Sequence, residues 1–114
     1  MNKRIKKLWV AALRSGEYKQ GRRRLRSDVN TFCCFGVLCN IHAQEHPEIA
    51  AAQQTRRAYM GSYALPPEEV LLWAGLESFR ADAVRIAGEL NFLEAHNDRG
   101  VSFSQIADAI EEQL

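Results

Sequence analysis

With 114 residues, 46% of them apolar and 25% charged, and a net charge of +1, the chain has the length of one domain and the composition of a globular one. That composition excludes disorder as the default, and no apolar run approaches the roughly 20 residues that a membrane helix needs. The basic N-terminus spaces its apolar residues as a helix does and is followed by no small-residue cleavage site, so it does not read as a secretory signal. A single domain over residues 1–114, with no membrane association, is the expectation.

The small net charge hides a strong asymmetry. Residues 1–26 carry ten basic side chains against Glu17 alone, a balance of +9, and residues 27–114 carry −8. Such a split implies that the head meets an anionic partner or packs near the acidic remainder of the chain. The three cysteines are an odd count, and Cys33 and Cys34 are adjacent, which disfavours a bridge between them. This pattern implies free thiols in a reducing compartment, and an intracellular location is the expectation.

In chain order, Ile5, Leu8, Trp9, Ala12 and Leu13 fall at helical spacing, predicting an amphipathic helix over 3–14 that Ser15-Gly16 ends. Gly21 marks a turn or a close backbone approach. Residues 22–26 alternate as a strand would, Ser27-Asp28-Val29-Asn30 is a turn signal, and 31–34 is a return strand, which together predict a hairpin. Phe35 to Glu45 reads as a helix that is apolar nearly all round, and Pro47 interrupts it. Residues 48–58 suggest a second short helix, and 59–65 a loop or short strand. Pro66-Pro67-Glu68-Glu69 opens a further helix that Gly75 ends.

Residues 79–95 read as another helix, with Ala83, Ile86, Ala87, Leu90 and Leu93 on its buried face. His96 to Gly100 reads as a turn. Ser102 and Gln105 have capping-box spacing before a last helix striped by Phe103, Ile106, Ala107 and Ile110. The expected fold is α+β and mostly helical: one small antiparallel β-hairpin packed against four or five helices, with the cysteine-rich helix at the centre.

Several pieces occur together: Ala12-Leu13-Arg14-Ser15-Gly16-Glu17-Tyr18, Cys33-Cys34-Phe35-Gly36-Val37-Leu38-Cys39, Trp73-Ala74-Gly75-Leu76, and Asn97-Asp98-Arg99-Gly100 before Ser102-Phe103-Ser104-Gln105. Over most of its length the chain thereby resembles a group of small uncharacterised proteins of tailed phages and prophages. The resemblance implies a phage or mobile-element accessory protein, with counter-defence or host takeover as its setting. The loop Gly21-Arg22-Arg23 is more basic here than in that group.

Four chemistries stand beside their ordinary readings. Cys34, entering a helix N-terminus, has the setting of a lowered thiol pKa, and His96, oriented by Asn97 or Asp98, would be its base. The ordinary reading, small buried cysteines, is preferred. Cys39, His42 and His46 lie at i, i+3 and i+7 on one helix face and suit zinc, but without a Cys-x-x-Cys pair the preferred reading has no metal and no cofactor. The segment from Arg99 to Ile110 has the pattern of the first half of a helix-turn-helix, yet its helix carries Asp108, Glu111 and Glu112, which phosphates repel.

The basic head is the preferred site. Lys19, Arg22, Arg23, Arg24 and Arg26 would neutralise phosphate or carboxylate groups, and Tyr18 would offer a stacking surface. The expected function is binding rather than catalysis. Partners would be a host or defence protein, a nucleic acid or a phosphorylated nucleotide signal. Pairing of basic head with acidic tail would allow a homo-oligomer. The alternative is a thiol enzyme using Cys34 and His96. Trp9 and Trp73 are expected in the core.

Overall fold

In the computed structural model, residues 1–53, 55–77 and 83–114 are described, and the first helix, α1 (Lys3–Arg14), starts and stops where its periodicity predicts. The Asn2 side chain accepts the Ile5 N–H at 3.0 Å, a cap of about 1 kcal/mol. Ile5, Trp9, Val10 and Leu13 are buried, whereas Leu8 is 40% exposed, because α1 presents Val10 rather than Leu8 to its neighbours.

The expected two-strand hairpin is a three-stranded sheet. β1 (Lys19–Gln20) pairs in parallel with β3 (Thr31–Phe32), which pairs antiparallel with β2 (Arg26–Asp28), giving the order β1-β3-β2. Residues 22–25 are not strand. Arg23 takes φ +64°, and the Leu25 N–H bonds to the Tyr63 carbonyl at 2.7 Å instead of a ladder partner. The buried residue of this stretch is Leu25, and the arginines beside it are exposed.

α2 (Cys34–Glu45) runs through the middle of the molecule. Its residues from Cys34 to Cys39 are all buried, as are Ile41 and His42. The Trp9 indole lies against the Phe35 ring at 5.6 Å and donates to the Cys34 carbonyl at 2.9 Å. Gly36 is obligatory by packing: a Cβ there would stand 1.7 Å from the Leu25 carbonyl oxygen. All three cysteines are free and buried, as the odd count implies.

α3 (Pro47–Ala52) is shorter than the expected 48–58, because Gln53 is already extended. α4 (Glu68–Ala74) ends at Gly75 with φ +73°, and there the Asn2 N–H bonds to the Ala74 carbonyl at 2.8 Å.

Sequence periodicity fails most clearly over 79–95. Residues 79–82 lie outside the described residues. Beyond them the chain forms a hairpin, β4 (Val84–Ile86) with β5 (Glu89–Asn91), and then α5 (Leu93–Asp98). Ala87 and Gly88 take φ +52° and +83° in the two-residue turn, as a primed hairpin turn requires. Leu90, expected inside, is 58% exposed. His96, Asn97 and Asp98 accordingly sit on a helix, not in a turn. α6 (Phe103–Gln113) carries the predicted capping box on Ser102 and Gln105 and packs along α1.

The architecture is therefore α+β, with six helices and two small sheets among the described residues, arranged around α2. No helix among them is long and apolar enough to cross a membrane.

Because the Gly36 contact is with backbone, which cannot rotate away, Gly36→Ala is expected to lower stability by about 1–3 kcal/mol, as overpacked cores do. Urea unfolding followed by tryptophan fluorescence checks this. An unchanged midpoint would show that the contact is not as close as described.

Candidate functional site

Burial decides the chemistry of the thiols. Cys34 is the first residue of α2, where the helix dipole favours a thiolate, but its side chain is wholly buried and its Sγ faces the Leu93 carbonyl at 3.8 Å. Burial pushes its pKa well above the ordinary thiol value, with neighbouring Cys33 acting in the same direction. Cys33 is pushed up to about 11 by burial, and Cys39 is raised further by the same cause. Loss of solvation outweighs the dipole in this setting.

The other members of the thiol-enzyme alternative are occupied in holding the fold. The His96 Nε2 meets the Val84 carbonyl at 2.9 Å. Asn97 is a buried junction: its Oδ1 accepts from the Cys34 N–H at 3.2 Å and from the Gln20 amide at 3.1 Å, and its Nδ2 donates to the Gly21 carbonyl at 2.8 Å. The Asp98 Oδ1 accepts the Arg23 N–H at 2.8 Å. The segment from His96 to Asp98 folds back onto the start of α2. It brings there an amide that joins the two, and the Cys34 thiol points at a carbonyl.

Of the three residues of the metal alternative, two come together. The His42 and His46 rings stack at 4.0 Å, with the half-buried Trp73 edge-on to both. The His42 Nδ1 faces the Tyr59 hydroxyl at 2.5 Å, and the His46 Nδ1 faces the His42 carbonyl at 2.8 Å. Burial, then the adjacent His46, lowers the His42 pKa, while burial pushes Tyr59 up to about 12. A neutral imidazole accepting from a protonated tyrosine satisfies both. No group of three or more His, Cys, Asp or Glu side chains among the described residues is placed to hold a metal.

The predicted basic head divides. Arg4 forms a pair of hydrogen bonds with Glu45, and Arg14 reaches Asp108 at 2.6 Å and Glu111 at 2.9 Å, so part of it is answered by the molecule's own carboxylates. Lys19 and Arg22 to Arg24 are exposed, and the Arg22 guanidinium lies beside Gly100. Tyr18 is half-buried. Its ring and the Phe32 ring meet edge to face at 5.1 Å, and its hydroxyl accepts from the Asn40 amide at 2.7 Å.

Arg26 goes elsewhere. It lines a cleft of about 430 Å³ between β2, α2, the end of α3 and residues 55–59, where Arg56 and Arg57 join it. An outer lobe of about 250 Å³ shares these three arginines with Thr55 and adds Asp28 and Val29. The Arg26 guanidinium stands 4.9 Å from the centre of the Phe32 ring, and its Nη2 and Nε donate to the Val29 carbonyl. Partial burial, then the like charge of Arg56, lowers its pKa, though guanidinium remains a cation. No carboxylate among the described residues pairs with Arg26, Arg56 or Arg57, whereas Arg4 and Arg99 each have one and Arg14 has two.

Sequence reasoning missed Arg56, Arg57 and the polar side chains beside them, Asn40 and Gln53. A signal was present: the pair Arg56-Arg57 stands out in the acidic part of the chain. Weight given to the N-terminal cluster obscured it.

A family model described as a domain of unknown function, DUF8296, matches residues 1–114, the whole chain. No curated protein matches, and no solved structure does.

The thiol environment carries its own test. Native protein at pH 7.5 is expected to resist iodoacetamide at Cys33, Cys34 and Cys39, with all three alkylated in denaturant, as read by intact mass. Rapid modification of Cys34 in the folded protein would restore the thiol-enzyme reading.

Proposed function

We propose that this chain, which belongs to the DUF8296 family, acts by binding rather than catalysis and takes a phosphate-bearing anionic partner in the cleft of Arg26, Arg56 and Arg57. The setting we propose is that of a phage- or prophage-type accessory protein in the cytoplasm of a bacterial host, acting in counter-defence. The resemblance of the Cys-Cys-Phe-Gly-Val-Leu-Cys core supports that setting.

One observation carries the binding reading. Among the described residues, Arg26, Arg56 and Arg57 line one opening and none has a pairing carboxylate, whereas Arg4, Arg14 and Arg99 are paired and the likewise unpaired Arg22 to Arg24 lie on the exposed loop. Crowded like charges repel, and a bound anion would relieve that repulsion. Guanidinium suits phosphate and carboxylate because its planar donors meet two oxygens at once. The exposed Arg22 to Arg24 form a separate cationic surface that would steer an anion toward the protein without holding it.

Isothermal titration calorimetry with inorganic pyrophosphate tests the assignment. Wild-type protein is expected to bind it with an affinity that falls as salt rises. Arg56→Glu with Arg57→Glu is expected to weaken binding at least tenfold while leaving the thermal midpoint unchanged, since both side chains are exposed. Full binding by that variant, with loss only on reversing Arg22 to Arg24, would move the site to the loop.

A further inference from the structure

The cleft is zoned. Arg26, Arg56 and Arg57 make its mouth cationic, with the Arg26 guanidinium over the Phe32 ring, while its inner wall is made of small apolar side chains from α2 and α3, among them Cys39, Ala43 and Ala50. Two side-chain amides face the same space. Asn40 uses one amide N–H on the Tyr18 hydroxyl, which leaves its Oδ1 and its other N–H. The Gln53 Oε1 accepts the Met60 N–H at 3.1 Å, which leaves its Nε2 as a donor.

Charge and size narrow the ligand. One carboxylate shares the lining with the three arginines, that of Asp28, whose Oδ1 accepts the Val29 N–H at 2.7 Å. The mouth is thus about two positive charges in excess, which matches a single phosphomonoester of about −1.5 to −2 charge. A volume of about 430 Å³ is in the range of small-molecule pockets. A nucleic-acid strand presents its charges in series along its length and calls for a cationic stripe, whereas these three arginines share the lining of one cleft.

Resting on the anion-binding reading above, we infer that the cleft takes a nucleoside monophosphate, with the phosphate at Arg26, Arg56 and Arg57 and the base against the inner wall. Planar bases offer donor and acceptor edges that side-chain amides read, and Asn40 and Gln53 supply both kinds of group there. The apolar wall removes the faces of the ring from water.

Calorimetry with adenosine, guanosine, cytidine and uridine monophosphates, inorganic phosphate and a ten-residue oligonucleotide tests this. At least one mononucleotide is expected to bind tenfold or more tighter than inorganic phosphate and tighter than the oligonucleotide. Gln53→Ala is expected to cut that mononucleotide's affinity about fivefold and to leave phosphate binding unchanged. Asn40→Ala is a second variant with the same expectation, and thermal melts establish that each is folded. Mononucleotides binding no tighter than phosphate would overturn the base site and leave the anion site standing. Tighter binding of the oligonucleotide would overturn it in favour of a polymer. Binding of no anion at all, phosphate and pyrophosphate included, would remove both readings.

Discussion

The Leu25 carbonyl resting on Gly36 is the contact on which the architecture turns. A helix buried on nearly all sides leaves little room for a chain crossing it, and α2 admits one only where a side chain is missing. Leu25 is thereby driven into the core, and its N–H is taken by the carbonyl of Tyr63. The next residue, Arg26, is delivered above Phe32 at the edge of the sheet. One close approach between backbone and helix thus sets a wall of the cleft and the position of its first cation.

A second constraint holds the opposite end of the same segment. Asn97 spans the α2 N-terminus, β1 and the Gly21 carbonyl, and Gln20 extends the junction to the Val101 carbonyl at 2.7 Å and the Phe103 N–H at 3.1 Å. Each bond satisfies a backbone group that burial would otherwise leave bare, at a cost of about 1–3 kcal/mol apiece. The asparagine and aspartate that would have served a nucleophile hold backbone here instead, and the histidine is tied to the Val84 carbonyl of β4. Cys34 lies at its centre, wholly buried, out of reach of a substrate. His42, Tyr59 and Trp73 form a comparable cluster behind the cleft and fix the orientation of Tyr59 on its lining.

Much of the fold was legible because local signals agreed with packing. The stripe of α1, the capping box of α6, Gly75 after α4 and the all-round apolar character of α2 each have one dominant reading. The stretch 83–91 misled because Ala83, Ile86, Ala87 and Leu90 also fit a helical period. The contrary signal was Ala87-Gly88, whose positive φ values a hairpin turn needs. At the site, composition indicated an excess of cations but not which of them the fold would neutralise. Arg14 meets Asp108 and Glu111 some 94 and 97 positions away, a pairing no local pattern announces. Arg26 and Arg56 become neighbours only through the return of the chain after α3.

The arginines of the sequence thus include three populations: those on α1 tied to carboxylates of α2 and α6, an exposed loop, and a cleft whose cations have no pairing carboxylate among the described residues. Exposed pairs of the first kind contribute little to stability, but they neutralise charge. Unanswered charge in a concave setting is what an anion would meet. Arginine Nε–Hε resonances followed by NMR during a titration with inorganic phosphate address this most directly. Saturable shifts at Arg26, Arg56 and Arg57, with Arg22 to Arg24 moving only weakly and without saturation, are the expected result. Saturation at the loop arginines with the cleft unmoved would contradict it.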